Sequence, residues 1–330
     1  MAAQAPAIGY VSLLRTYPRF RNLWIANIIS LLGDWLDAMA LAEVAIGLTS
    51  RPGSPLTAAQ ALTAMMLARL LPISLLSPIA GNAADRFPRI KVMQVCNLIS
   101  AACVLLFLPF LTTEGLPVVL LLLFVKLGAL TFFAPAYQAA VPVIVPHEHL
   151  QQANALGITT FSAMTALGGS LGGLAVHHLG VQPALVFDAV TFLVANVFLV
   201  RVTLPPSPLA ETRPQPVKDF MAGLHFLRAT PLVLPALLLA PLLDASGSGV
   251  IGPLLAEHAW PHRRPDGSLA IGLVSGLIYT AFGLGSVLGP IYVQKLRATP
   301  PSMQRIIPGA LVVQGISWRY WGWRGRFGSA

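Results

Sequence analysis

Between Leu23 and Val293 the chain is a succession of apolar runs of about 18 or more residues, each closed by a short polar break. At about 1.5 Å of rise per residue, a helical run of that length matches a hydrocarbon layer about 30 Å thick. Backbone amides in lipid must be satisfied within the protein, which leaves helices or closed barrels. The runs are continuous rather than alternating, so they read as helices. Composition agrees: 55% of residues are hydrophobic and 10% are charged, against about 25% charged in a soluble domain. The expected fold class is an all-α polytopic membrane protein.

Eight spans can be drawn, at about Leu23–Leu48, Ala61–Ala80, Val92–Leu111, Leu116–Val145, Ala155–Val176, Ala184–Val200, Leu232–Leu255 and Leu269–Val293. The fourth is long and holds Pro135 and Pro142, so a kink or an early exit is expected there. Thr112–Gly115 and His177–Gln182 read as turns, and "PHEHLQQAN" from Pro146 as a polar link. Arg201 to Thr230 is rich in proline and charge and reads as a linker carrying a short helix, Val217–Leu227. Residues 1–200 therefore read as one six-helix bundle, 201–230 as a cytoplasmic linker and 231–317 as a partial second bundle. Ile306 to Ser317 is short for a ninth span, and 318–330 is an atypical tail with three tryptophans and three arginines.

The net charge of +9 raises nucleic acid as a partner, but its placement argues against one. Of 21 Lys and Arg, sixteen fall in the N-terminal segment, the even-numbered gaps and the tail, while Arg51, Arg263 and Arg264 occupy the opposite side. That bias puts the N-terminus in the cytoplasm of a cell whose inner membrane the chain crosses. Cys96 and Cys103 lie seven apart on one apolar run and read as small packing residues, not as a disulfide framework.

The densest charge lies between spans 2 and 3, in "SPIAGNAADRFPRIKVM". A generic positive-inside hairpin explains Arg86, Arg89 and Lys91 but not their spacing from Gly81 and Asp85. Gly81 would let two helices approach, and Asp85 would accept from the amides opening span 3 or pair with a neighbouring helix end. The stretch "GNAADRFPRIK" resembles the signature loop of the major facilitator superfamily, with Gly81, Asp85, Arg86, Arg89 and Lys91 matching and Pro88 in place of the usual glycine. "FRNLWIANIISLLGDWL", "FFAPAYQAAVPVIVP", "LQQANAL" and "LGGSLGGLAVHHLG" are similar to its branch of enterobactin exporters and macrolide-efflux proteins, over about Tyr17 to Val293. The resemblance implies two six-helix bundles rocking about a central site, with Asp85 in a cytoplasmic latch.

Ionisable residues inside the membrane are costly and therefore candidates for function. Asp34 and Asp37 share a face of span 1, Lys126 lies about 15 Å from the outer end of span 4, and Asp244 sits at similar depth in span 7. By the resemblance, these spans line the cavity. Asp34 or Asp37 is expected to pair with Lys126, either as a pair that protonation or substrate binding breaks, or as a static strut. Arg69 is a further pathway candidate, Glu43 reads as interfacial and Asp188 as a helix-end residue. Gly168, Gly169, Gly172 and Gly173 form overlapping small-residue pairs and read as helix packing, as do Gly283, Gly285 and Gly289.

Glu257, His258 and His262, and His147 with Glu148 and His149, fall short of a metal set and read as solvated. No Walker A loop, metalloprotease motif or nucleophile elbow is present, so neither an ATP motor nor an enzyme is expected, and no cofactor. The expected function is proton-coupled efflux, as an antiporter, of a hydrophobic or amphipathic small molecule, drug-like or siderophore-like. Its partners would be that substrate, protons and the lipid bilayer. The competing expectation is a truncated, non-transporting membrane fragment that acts, if at all, through self-association or a complementing chain.

Overall fold

A computed structural model of the chain describes residues 9–49, 56–205, 221, 273, 275–281 and 283–285. Every element among them is helical. A short α1 (Tyr10–Thr16) is followed by six long helices: α2 (Pro18–Thr49), α3 (Ala58–Arg86), α4 (Arg89–Phe107), α5 (Leu116–Ile144), α6 (His147–Leu179) and α7 (Val181–Val200). A 3-10 turn, Leu108–Phe110, extends α4. Residues 273, 275–281 and 283–285 are helical as well. The seventh expected span, the linker helix apart from Met221, Asp244, Gly289, the Glu257–His262 cluster and the tail lie outside the described residues.

Helix boundaries differ from the sequence expectation where local chemistry decides. α3 does not stop at Ala80 but runs on to Arg86, so Gly81, Asp85 and Arg86 are helical. Pro88 sets its end: the residue before a proline is pushed out of the α region, and Phe87 adopts φ −91°, ψ 154°. The hairpin is only Phe87 and Pro88, and Arg89 and Lys91 open α4. At the start of α3, Thr57 and Gln60 form a reciprocal cap, each side chain accepting from the other's backbone N–H.

α5 passes through Pro135 and Pro142 without an early exit and ends one residue short of Val145, which precedes Pro146. The expected polar link is the first two turns of α6, with Glu148 favourably placed at its N-terminus. The expected turn His177–Gln182 reduces to one residue, Gly180, at φ +88°. That left-handed value suits glycine and stops α6 while α7 starts at once.

Among the described residues, five helices are long and apolar enough to cross a bilayer: α2, α3 within Gln60–Ser77, α4 with its 3-10 turn, α5 and α7. α6 has the length, 33 residues, but glycine, serine and threonine dilute its apolar content. It packs mainly against α2, while α7 packs on α2 and α4, and α5 on α3 and α4.

The buried side chains form two layers. One holds Met39, Ile46, Met65, Phe107, Leu123, Leu185 and Phe192. The other holds Phe20, Leu23, Met93, Cys96, Phe133, Val141 and Leu199. Along α5 the two layers are separated between Leu123 and Phe133, and Lys126 lies in that interval. Lipid supplies no hydrophobic drive for helices to associate, so close packing and polar contacts carry it. Asn97 Nδ2 donates to Asn196 Oδ1 at 3.2 Å, and Asn196 Nδ2 to the Gln94 carbonyl at 3.1 Å, which joins α4 to α7.

Candidate functional site: a buried charge cluster beside a cavity

Four helices bring five ionisable groups together midway along the bundle. Lys126 Nζ on α5 lies 2.6 Å from Asp37 Oδ2 and 3.0 Å from Asp34 Oδ1, both on α2. It is also 3.6 Å from Asp188 Oδ2 on α7. Arg69 Nη2 on α3 donates to Asp37 Oδ1 at 3.5 Å. The Phe192 ring, one turn beyond Asp188, presents its face 4.9 Å from the ammonium.

Exposure splits the cluster. The side chains of Asp37 and Lys126 are 1% exposed and that of Asp188 0%, whereas Asp34 is 32% and Arg69 29% exposed. The sealed groups hold the helices together; the other two open onto a cavity of about 330 Å³ between α2, α3, α5, α6 and Tyr279. Its wall is apolar, with Met39, Met65, Met66, Trp35, Phe161 and Tyr279, and Asp34 and Arg69 supply its charges. An apolar pocket with a few convergent polar groups is the usual form of a small-molecule site.

Asp188 is misplaced by the sequence reading. It is not a helix-end residue but the eighth residue of α7, fully buried against Lys126. Counted from Ala184 it lay near an end; with α7 starting at Val181 it moves a turn deeper. Glu43, near the C-terminal end of α2, is buried among the helices at 9% exposure. Gly33 went unremarked in sequence. A Cβ there would collide with Asp188 Oδ1 and Thr191 Oγ1, so its bare backbone is what lets α7 bring Asp188 against α2. The readable signal was glycine one residue before an intramembrane aspartate.

The α6 glycines serve two neighbours. A Cβ on Gly168 or Gly172 would press on Trp35, and one on Gly169 would press on Tyr279. Gly276 returns the contact, its Cβ position being closed off by the Gly169 carbonyl and the Gly173 Cα. Trp35 and Tyr279 then meet edge to face at 4.8 Å over the cavity. Trp24 Nε1 donates to Thr160 Oγ1 at 2.8 Å and ties α2 to α6 a few turns away.

The signature segment lies apart from this cluster. Asp85 is exposed near the end of α3, one turn before α4 opens at Arg89, and Pro88 at the N-cap of α4 supplies no capping side chain of its own. Arg86 Nε donates to Asn82 Oδ1 at 2.7 Å and Arg89 Nε to the Ala84 carbonyl at 3.3 Å, which closes the hairpin on itself. A Cβ on Gly81 would meet nothing within 4 Å among the described residues, so no described helix approaches it closely.

Comparison with known proteins follows the same lines. Residues 12–318 match the family described as transmembrane secretion effector. An enterobactin exporter EntS of Shigella boydii serotype 18 is 31% identical over 293 residues, covering 87% of this chain and 65% of that protein. The enterobactin exporter EntS of Escherichia coli O1:K1 is 30% identical over 293 residues, with the same coverage. The chain thus spans about 65% of the length of the curated relatives it matches. A match over nearly the whole chain, on a helical bundle with apolar membrane-crossing helices, shows the family: the chain belongs to the transmembrane secretion effectors of the major facilitator superfamily.

Proposed function

We propose that this protein exports a hydrophobic or amphipathic small molecule, drug-like or siderophore-like, from a bacterial cell by alternating access, in exchange for protons. The cavity beside the charge cluster is the observation that carries the reading. Its apolar wall suits an apolar body, and Asp34 and Arg69 offer the polar anchors. The names of the relatives favour the outward direction. Proton coupling is supported by a charge count. Asp34, Asp37 and Asp188 stand against Lys126 and Arg69, which leaves one excess negative charge that a proton can neutralise.

In this reading residues 1–200 are the N-terminal bundle, with the N-terminus in the cytoplasm. The segment 201–230 is a linker to a second bundle within 231–317. Asp85 and the basic groups beside it gate the cytoplasmic side. The Lys126 cluster is the element that substrate and proton both address, and Asp244 lies on the same pathway.

Vesicles holding the purified chain test this directly. Proton-driven movement of a fluorescent amphiphile is expected, falling about tenfold or more in Lys126→Ala and Asp34→Asn. Full activity in both variants ends the role given to the cluster. No movement by the unaltered chain, with intact vesicles and a working gradient, ends the reading of it as an independent exporter.

A further inference from the structure

The three carboxylates around Lys126 are not equivalent. Asp37 and Asp34 hold its ammonium at 2.6 Å and 3.0 Å, within hydrogen-bonding range. Asp188 Oδ2 stands off at 3.6 Å, and neither Asp188 oxygen accepts a hydrogen bond although the residue is 0% exposed. A buried carboxylate without hydrogen bonds is expensive to keep. A shift of about 1 Å by the ammonium, at the end of a flexible four-carbon stem, brings it into hydrogen-bonding range of Asp188. The Phe192 face beside it offers a favourable surface for that movement.

Of the three acids, Asp34 alone opens onto the cavity; Asp37 also holds Arg69. The set of five charged groups carries one excess negative charge, and its accessible acid is Asp34. We infer, resting on the transport reading above, that the cavity accepts a hydrophobic molecule bearing one cationic centre, which takes Asp34 from Lys126 while Asp188 receives the released ammonium. The apolar body lies against Trp35, Met65, Met66 and Phe161, whose aromatic faces and thioethers suit a cation with bulky apolar substituents. Asp188 touches Lys126 and not the substrate, so it is a positioning residue. Its buried, unsatisfied state before binding is what makes the exchange cheap, since Lys126 never faces the interior with fewer than two acids.

Tetraphenylphosphonium and tetraphenylborate are alike in size and shape and opposite in charge. Their binding to the purified full chain in neutral detergent, by equilibrium dialysis against detergent alone, reads the charge class. The phosphonium is expected to bind about tenfold or more tighter than the borate, to weaken about tenfold in Asp34→Asn and to recover in Asp34→Glu. Equal or tighter borate binding overturns the cationic class, as does unchanged phosphonium binding in Asp34→Asn. The comparison of the two ions needs no variant, so a poorly folding substitution leaves that class decided. For the exchange, Asp188→Asn is expected to weaken the phosphonium about threefold or more, and to have no further effect in the Asp34→Asn background. An undiminished effect in that background is a mere long-range charge effect and overturns the exchange. Binding is read without transport: loss of efflux with charge-selective binding intact overturns the transport reading alone, and efflux indifferent to charge overturns this inference alone.

Discussion

Lys126 of α5 and Asp37 of α2 meet at 2.6 Å with both side chains 1% exposed, in the interval between two apolar layers. At that depth no water shares the task of satisfying either charge. This is the shortest contact of the cluster, which Arg69 beside Asp37 and Asp34 and Asp188 beside Lys126 complete, and removing one partner leaves the other buried with fewer counter-charges.

Lys126→Met is therefore expected to be strongly destabilising, because it leaves three carboxylates facing one another. The loss should be about 3–5 kcal/mol, as for other broken buried pairs. Thermal unfolding of the detergent-solubilised chain measures it. Adding Asp37→Asn should recover part of the loss, and a double variant no better than Lys126→Met speaks against a pairwise contact.

Gly33→Ala sets a methyl group against Asp188 and Thr191. Overpacking of this kind costs about 1–3 kcal/mol. Gly81→Ala is the control: its Cβ meets nothing within 4 Å among the described residues, and alanine suits a helix interior better than glycine. The first is expected to lower the melting temperature and the second to leave it level or raise it.

Gly283→Val closes the contact between the 283–285 stretch and Ala166 of α6, where even a single Cβ collides with the backbone. Efflux is expected to fall sharply, and a cysteine pair at Ala166 and Gly283 in a Cys96→Ser, Cys103→Ser background is expected to cross-link on oxidation. Failure to cross-link places the two segments apart in the membrane.

Trp24→Phe removes the 2.8 Å bond to Thr160 and keeps the apolar ring. The expected cost is about 1 kcal/mol, the usual net value of one hydrogen bond, read as a small drop in melting temperature that Thr160→Val does not deepen. A further drop in the double variant shows that the two act separately.

Orientation is open to a chemical test. With both native cysteines replaced, Arg89→Cys is expected to react with a membrane-impermeant maleimide only after the cells are opened. Labelling in intact cells reverses the assigned topology.

Much of this molecule is legible in one dimension because lipid imposes a coarse requirement. A run must be apolar and long, and the runs of α2, α4, α5 and α7 are both. The depth of Asp34, Asp37 and Lys126 follows from counting along a helix of fixed rise. Helix ends are less legible: α3 continues into the charged segment as far as Arg86 because proline geometry, not charge, halts it. Which charges meet is a question about the rotation and separation of helices distant in sequence, and periodicity carries no such information. Asp188 shows the difference. Its type and approximate depth are written in the chain, but its place beside Lys126 depends on Gly33 letting α7 close on α2 and on the Asn97–Asn196 contact joining α7 to α4. Amino-acid order by itself establishes a helical membrane protein with charges in its interior. Packing alone decides that five of those charges form one cluster, three sealed and two facing a cavity, because contact distances are set by side chains from four separate helices.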